Sequence, residues 1–190
     1  MGKRINKVLR TAVLVFGIST IFVFLGCVKS DPVEPTTNMT SQEYLDNAIA
    51  AVDVGQLNKD LKIIDDSLAI AGLTDKVLTE PNGVRYIINT LGVGGINPTL
   101  DNIIQIKYSA KILSTGEEFD ASEDLKVYLF NLIIGFQTTM PLLPVGTDVT
   151  LYIPSGYGYG PADLKDKTSG QILIPANSNL VFHVELLKIL

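Results

Sequence analysis

The most constraining feature of this sequence is a regular alternation of apolar and polar residues over residues 104–112. Five apolar side chains there would share one face of an extended segment: Ile104, Ile106, Tyr108, Ala110 and Ile112. A period of two residues is typical of an antiparallel strand that is buried on one side. Shorter stretches at 84–89, 149–153 and 180–189 alternate in the same way. We therefore predict a strand-rich α+β domain, built on an antiparallel sheet, over residues 78–190.

Helices are predicted in two places. The apolar stretch at 129–143 lies between strands and indicates one short helix against the sheet. Ahead of the domain, residues 40–77 are predicted to be helical, because Thr40 and Glu43 have the spacing of a capping box. Apolar residues then recur at steps of four and three before Gly72, at Leu57, Leu61, Ile64, Leu68 and Ala71. Since short helices are marginal alone, these two must pack on the domain, on each other or on a partner chain, so both bracing and dimerisation are left open.

The start of the chain has the pattern of an export signal. Four basic and no acidic residues precede the apolar stretch at 12–26, which is short for a membrane-spanning helix of roughly 20 residues. Residues 24–27, FLGC, resemble a bacterial lipobox, although phenylalanine replaces the usual first leucine. We predict that residues 1–26 are a signal peptide, that Cys27 carries lipid, and that residues 27–39 form a tether. An uncleaved signal anchor and a signal cut elsewhere are the alternatives.

Composition excludes several function classes. The chain has 15 basic and 20 acidic residues, and removal of the signal would make it more acidic still. An acidic chain without a basic cluster is a poor candidate for binding nucleic acid, so we expect none. Membrane attachment would depend on lipid rather than on a basic surface. No metal cluster, phosphate-binding loop or nucleophilic triad is visible, and the single histidine, His183, is expected on the solvated face of its strand.

A series of short motifs gives the strongest indication of function. In order they are YSAKIL (108–113), GEEFD (116–120), IIGF (133–136), VG (145–146), IPSGYGYG (153–160), IP (174–175) and LVFHVELL (180–187). Each motif alone is weak, but the series resembles the FKBP-type peptidyl-prolyl isomerases over about residues 84–190. The lipobox, the tether and the helical segment resemble bacterial lipoprotein members of that family.

The resemblance implies an FKBP-like half-barrel of five or six antiparallel strands wrapped around one short helix near residues 133–142. A proline-binding pocket would lie between helix and sheet. The positions that match the family's pocket are Tyr108, Phe119, Asp120, Leu132, Ile133, Phe136, Tyr159, Leu173, Ile174 and Phe182. Of these, Tyr108, Asp120 and Tyr159 would be catalytic, and the phenol of Tyr159 would donate to the carbonyl before the bound proline. Tyr157 would pack to hold the loop.

The implied activity is cis-trans isomerisation of X–Pro bonds, which needs no cofactor. Rotation about a peptide bond faces a barrier of ~18–20 kcal/mol, and X–Pro bonds isomerise over tens to hundreds of seconds. An apolar pocket removes water from the amide and disfavours its polar, conjugated ground state, and a few donors can hold the twisted carbonyl. The expected substrates are proline-containing exported polypeptides. The expected location is the bacterial cell envelope, with the lipid most simply in the outer membrane.

The sequence also departs from the family pattern. Phe136 stands where the family usually has a tryptophan pocket floor, and Leu125 stands where it often has arginine. Asp120 is therefore expected to depend on another partner, for which the Tyr108 hydroxyl is the candidate. Pro141 falls within the predicted helix, and residues 161–171 lengthen the loop over the pocket.

These departures leave two functional hypotheses. The first is an isomerase of reduced rate that acts on exported proteins. The second is a binding module, such as a chaperone subunit of an envelope assembly, that keeps the fold without useful turnover. It is also left open whether Leu125, Val127 or Leu129 fills the pocket wall.

Overall fold

The computed structural model describes residues 39–190. Its helices are α1 (Ser41–Ala50), α2 (Val54–Ile70) and α3 (Ile134–Thr139). Its strands are β1 (Leu78–Thr79), β2 (Arg85–Thr90), β3 (Ile103–Ile112), β4 (Glu118–Tyr128), β5 (Asp148–Ile153), β6 (Leu164–Lys165), β7 (Ile172–Ile174) and β8 (Leu180–Ile189). Single 3-10 turns occupy Thr74–Lys76, Leu129–Asn131, Met140–Leu142 and Ser155–Tyr157.

The N-terminal predictions lie outside the described residues. These are the signal peptide at 1–26, the lipidated Cys27, and all but the last residue of the tether at 27–39. Within residues 39–190, no helix has both the length and the apolar character needed to cross a membrane.

A six-stranded sheet in the order β1-β2-β5-β8-β3-β4 forms the body of the domain, and every neighbouring pair is antiparallel. The predicted α+β class and antiparallel sheet are therefore confirmed. In β3 the five residues of the predicted apolar face are all buried. The second face of the sheet is covered at β2 and β5, where Ile87 and Tyr152 pack with residues of α2.

Helix α3 packs closely against the sheet because Gly135 has no side chain. A Cβ built there would lie 2.6 Å from Cγ2 of Ile153 in β5, which is closer than side-chain atoms approach. The helix is shorter than the predicted 133–142, since it ends at Thr139. Pro141 was expected inside the helix, and that expectation is wrong: the proline lies in the following 3-10 turn, where its missing N–H interrupts no α-helical hydrogen bond.

The first N-terminal helix begins, and the second ends, where the sequence predicts. The Thr40 hydroxyl accepts a hydrogen bond from the Glu43 N–H at 3.2 Å, and the Thr40 N–H donates to the Glu43 carboxylate at 2.7 Å, which confirms the capping box. Helix α2 ends just before Gly72, whose φ of 67° favours glycine. Both helices pack on the domain: Leu45 enters the main core, and Ile64 joins a second cluster on the sheet.

Residues 161–171, expected as a long loop, contribute to a short hairpin. Strand β6 pairs with β7, with Leu164 opposite Ile174. The turn between them is closed by Asp166, whose carboxylate accepts hydrogen bonds from the N–H groups of Thr168 and Ser169 at 2.9 and 2.6 Å. This stretch therefore has its own local structure.

Candidate active site

Five aromatic rings form one connected group between α3 and the sheet. Phe182 of β8 lies at its centre, with its ring 5.0 Å from Phe136 of α3 and 6.0 Å from Phe119 of β4. Both contacts are edge-to-face, an arrangement favoured between aromatic rings. Tyr108 of β3 lies 6.2 Å from Phe182, and Tyr159 lies 6.2 Å from Phe119. We call these five residues the aromatic group; the structure brings together all the aromatic residues that the sequence places at the site.

The strand register explains why these rings meet. Phe182 is paired with Ala110 on one side and with Leu151 on the other, so all three side chains share the buried face of the sheet. Alternation along β3 then puts Tyr108 on the same face as Ala110. The small Ala110 side chain leaves space beside the Phe182 ring, and Phe136 of α3 occupies the space above it at 5.0 Å.

Asp120 is a carboxylate buried beside the aromatic group, with 2% of its surface exposed. Its Oδ2 accepts a hydrogen bond from the Tyr108 hydroxyl at 2.8 Å, which confirms the expected partner. Its Oδ1 accepts from the N–H of Ala121 at 2.9 Å. Such donors are needed because burying an ionised carboxylate without them is costly.

The two phenols of the aromatic group remain protonated at physiological pH. Burial raises the pKa of Tyr108 well above its usual range, and the hydrogen bond to Asp120 and the charge of Asp120 raise it further. Burial also raises the pKa of Tyr159, again with a contribution from the Asp120 charge. Both side chains are therefore neutral phenols, which can donate a hydrogen bond, rather than phenolates.

A cavity of about 190 Å³ opens at the N-terminal end of α3. Three of the predicted site residues line it: Leu132, Ile133 and Tyr159. Its walls combine apolar side chains with the polar Gln137 and the Tyr159 phenol. The cavity therefore has apolar surface next to a protonated phenol.

Three further lining residues were missed from the sequence: Ile134, Gln137 and Gly158. Gln137 lies four residues after Ile133, so helical periodicity could have placed it on the same face. Its Nε2 donates to the carbonyls of Phe130 and Leu132 at 2.9 and 2.7 Å, which fixes the chain entering α3.

The remaining predicted site residues do not line the cavity. Phe136 and Phe182 are completely buried. Ile174 is also buried in the main core, while Leu173 and Phe119 are partly buried and pack against that core.

Residues 155–160, which we call the tyrosine loop, contain two tyrosines that have different surroundings. Tyr157 is buried, and its hydroxyl donates to the carbonyl of Asn82 at 3.1 Å, in the turn before β2. Tyr159 is partly exposed and faces the cavity. Tyr157 therefore attaches the loop to the turn before β2, whereas Tyr159 lies at the cavity.

Charged groups elsewhere do not suggest another centre. Within residues 39–190, no group of three His, Cys, Asp or Glu side chains is arranged to hold a metal ion. His183 is on the exposed face of β8, as expected, with 54% of its side chain accessible and its Nε2 3.4 Å from an Asp148 oxygen.

The chain is similar in sequence to known proteins of one family. The family model described as FKBP-type peptidyl-prolyl cis-trans isomerase matches residues 94–187. The chain is 33% identical over 112 residues to the FKBP-type peptidyl-prolyl cis-trans isomerase FkpA of Buchnera aphidicola, an alignment that covers 57% of this chain and 41% of that protein. It is 36% identical over 104 residues to FK506-binding protein 1 of Saccharomyces cerevisiae, covering 52% of this chain and 85% of that protein.

A solved structure shows the same fold. The crystal structure of FkpA from Escherichia coli matches 78% of this chain and 63% of its own, with a TM-score of 0.57 and 27% identity. In the sequence alignments, the chain spans less than half the length of the Buchnera aphidicola protein and most of the length of the Saccharomyces cerevisiae protein.

Proposed function

The chain belongs to the FKBP-type peptidyl-prolyl cis-trans isomerase family, and from that premise we propose that it catalyses cis-trans isomerisation of X–Pro bonds. The observation that carries the proposal is a small cavity that adjoins the aromatic group and has the Tyr159 phenol on its wall. The alternative, a binding module without turnover, uses the same cavity, so catalysis itself must be measured.

The cavity would lower the barrier by changing the surroundings of the amide. The planar peptide bond is polar because of its conjugation, and rotation interrupts that conjugation at a cost of ~18–20 kcal/mol. A proline ring held in the cavity beside Leu132, Ile133 and Tyr159 would carry its amide out of water, which destabilises the polar planar form more than the twisted one. No bond to the protein needs to form, so the reaction needs shape and hydrogen bonds alone.

Tyr159 would hold the carbonyl that precedes the proline. Its hydroxyl is a donor because its pKa is raised by burial and by the Asp120 charge. A fixed donor at the cavity wall stabilises the carbonyl without the reorganisation that water requires.

Asp120 and Tyr108 would act together behind this contact. Their 2.8 Å hydrogen bond fixes both side chains in the buried layer beneath Tyr159. Burial and then the Asp120 charge raise the pKa of Tyr159, and the carboxylate is the polar group against which a twisted amide would be oriented. In this arrangement Tyr108 positions Asp120.

Refolding of a protein limited by proline isomerisation tests the activity on a polypeptide. The purified full chain, in mild detergent, should speed the slow phase, and it should leave unchanged the refolding of a proline-free variant of that protein. Tyr159→Phe should slow the reaction several-fold, since one charge-free hydrogen bond contributes about 1 kcal/mol. Tyr128→Phe is the matched control, since it alters an exposed phenol that does not line the cavity. A folded protein without any acceleration would support the binding module instead.

We also propose that the protein is lipid-anchored at Cys27 and acts on exported proteins in the bacterial envelope. The support is the basic start of the chain, the apolar residues 12–26 and the lipobox-like residues 24–27. Because Cys27 is the only cysteine, mass spectrometry of the N-terminal peptide gives an unambiguous answer. The proposal predicts a diacylglyceryl-modified Cys27 in the wild type and an unmodified chain in Cys27→Ser. An unmodified wild-type chain from a bacterial membrane fraction would contradict it.

A further inference from the structure

Asp60, in the middle of α2, is a fully buried carboxylate that the proposed reaction does not use. Its Oδ2 accepts two hydrogen bonds from one residue, Ser155: the N–H donates at 2.9 Å and the hydroxyl at 2.5 Å. Its Oδ1 accepts from Nε2 of Gln56 at 2.8 Å. A helix outside the catalytic domain is thereby joined to the first residue of the tyrosine loop.

Asn179 completes this contact from the sheet. Its Oδ1 also accepts from the N–H of Ser155, at 3.2 Å, and its Nδ2 approaches the carbonyl of Asp60 at 3.5 Å. Asn179 immediately precedes β8, the strand that carries Phe182. Ser155 is thus held between α2 and the start of the central strand of the site.

Ser155 in turn sets the shape of the loop. Its carbonyl accepts hydrogen bonds from the N–H groups of Gly158 and Gly160, at 3.0 and 2.9 Å. These two glycines flank Tyr159 on either side in the sequence. The position of the Tyr159 backbone is therefore linked to Asp60 through two consecutive sets of hydrogen bonds.

The turn between α1 and α2 contacts the loop a second time. A Cβ on Gly156 would lie 2.6 Å from Cγ1 of Val52, so the loop approaches this turn as closely as a glycine permits. This contact is apolar and independent of the carboxylate. The N-terminal helices therefore hold the loop at two adjacent residues.

Packing alone does not explain a carboxylate at position 60. Burying a charge costs free energy, and an apolar side chain of similar size can often replace a buried charged group without loss of stability. A carboxylate differs in that its two oxygens accept directional hydrogen bonds from several donors at once. Here two of those donors belong to one loop residue, which fixes the direction in which the chain leaves β5.

We propose that Asp60 is a positioning residue of the isomerase site, which fixes Ser155 and through it Tyr159. The inference rests on the proposed function and extends the site to a helix outside residues 94–187, the part matched by the family. Asp60 does not touch the cavity, so its effect on catalysis should disappear when the Tyr159 hydroxyl is absent.

A double-mutant cycle on the full chain tests this link. Asp60→Ala should lower kcat/KM several-fold and by no more than Tyr159→Phe does, since its effect is transmitted through the Tyr159 hydroxyl. Asp60→Asn should stay within about twofold of wild type, because the amide oxygen can still accept from Ser155. Asp66→Ala is the matched control, since Asp66 is an exposed residue of the same helix.

The decisive comparison is between Tyr159→Phe and the double variant Asp60→Ala/Tyr159→Phe. Positioning predicts that both have the same kcat/KM within about twofold, because the hydroxyl that Asp60 aligns is already missing. The proposal would be overturned if the losses in kcat/KM of the two single variants multiplied in the double variant. It would also be overturned if a folded Asp60→Ala kept the wild-type kcat/KM. If Asp60→Ala does not fold, Ser155→Ala enters the same cycle, with a smaller loss that must also vanish in Tyr159→Phe.

Failure of the proposed function is recognisable separately. If the folded wild type accelerates no X–Pro bond, the NMR signals of ring-labelled tyrosine still report the position of Tyr159, assigned by their absence in Tyr159→Phe. Asp60→Ala should shift the Tyr159 ring signals, whereas Asp66→Ala should not. Unchanged Tyr159 signals in Asp60→Ala would overturn the positioning role, whatever the protein catalyses.

Discussion

The two sides of the tyrosine loop are held by opposite kinds of chemistry. On the Tyr159 side, aromatic rings meet at centroid distances of 5.0 to 6.2 Å. On the Ser155 side, the buried Asp60 carboxylate and the Asn179 amide oxygen accept hydrogen bonds from the Ser155 N–H. The aromatic side supplies an apolar surface for a proline, and the polar side determines where the loop begins.

The difference shows that apolar contacts mainly stabilise this site, whereas hydrogen bonds mainly define its geometry. Apolar burial is large but has little directional preference, so rings can shift without losing much of it. Hydrogen bonds weaken steeply when their angle changes, so they define a position even where they add little net stability. We therefore expect truncation of the fully buried rings Phe136 and Phe182 to change mainly stability. Substitutions at Asp60, Ser155 and Asn179, which we call the Ser155 junction, should change mainly the placement of Tyr159.

The largest effect is expected from Phe182→Ala. The variant leaves a cavity at the centre of the aromatic group, and such truncations cost about 3–5 kcal/mol. Denaturant-induced unfolding should show this loss, while Tyr128→Ala, at an exposed tyrosine, should change the free energy of unfolding by about 0.5 kcal/mol or less. A loss below about 1 kcal/mol for Phe182→Ala would mean that the aromatic group is not the centre of the core.

A smaller effect is expected where the loop meets the α1–α2 turn. Gly156→Ala places a methyl group against Val52 and should cost about 1–3 kcal/mol by overpacking. Val52→Ala in the same chain should recover most of that loss, and the two variants and their combination can be compared by thermal unfolding. If Val52→Ala restores nothing, the two residues do not make the contact described.

Tyr108→Phe should have a moderate effect within the aromatic group. It removes the donor at 2.8 Å from Asp120 while keeping the ring, at a cost of about 1–2 kcal/mol. Tyr128→Phe, which alters an exposed phenol, is the control. Equal stability of Tyr108→Phe and wild type in denaturant would show that the buried carboxylate does not depend on this hydroxyl.

The smallest effect is expected at alkaline pH. The pKa values of Tyr108 and Tyr159 are raised above the usual 10.0 in the folded protein, so the unfolded chain loses these protons first. The free energy of unfolding should therefore be insensitive to these phenols below pH about 9 and should fall as the pH rises above about 10. Unfolding curves across this range should show a shallower fall for Tyr108→Phe. An identical slope would mean that Tyr108 is not protected from ionisation.

The sequence predicts the aromatic side better than the polar side for a physical reason. Alternation along β3 identifies its buried face without any knowledge of its neighbours, and the family resemblance of the ordered motifs implies that Phe119, Phe136 and Phe182 lie together. These signals follow from strand geometry and from a series of residues read together. The structure brings together the five aromatic residues accordingly.

The Ser155 junction is not predicted from the sequence, because no sequence pattern distinguishes its residues from other polar residues. Asp60 reads as one of several acidic residues on an amphipathic helix, although it lies four residues before Ile64 and eight before Leu68 on the buried face. That spacing was the available signal for a buried carboxylate. Its partner Ser155 is 95 residues away, and no local pattern indicates which distant N–H group will approach.

Catalysis of a single X–Pro bond tests the central claim most directly. The full chain in mild detergent would be added to a short X–Pro peptide, and cis-trans exchange would be followed by NMR exchange spectroscopy. The account predicts exchange within seconds, compared with tens to hundreds of seconds uncatalysed, and a large decrease in Phe119→Leu. A folded protein that shifts the peptide signals on binding but leaves the exchange at its uncatalysed rate would contradict it.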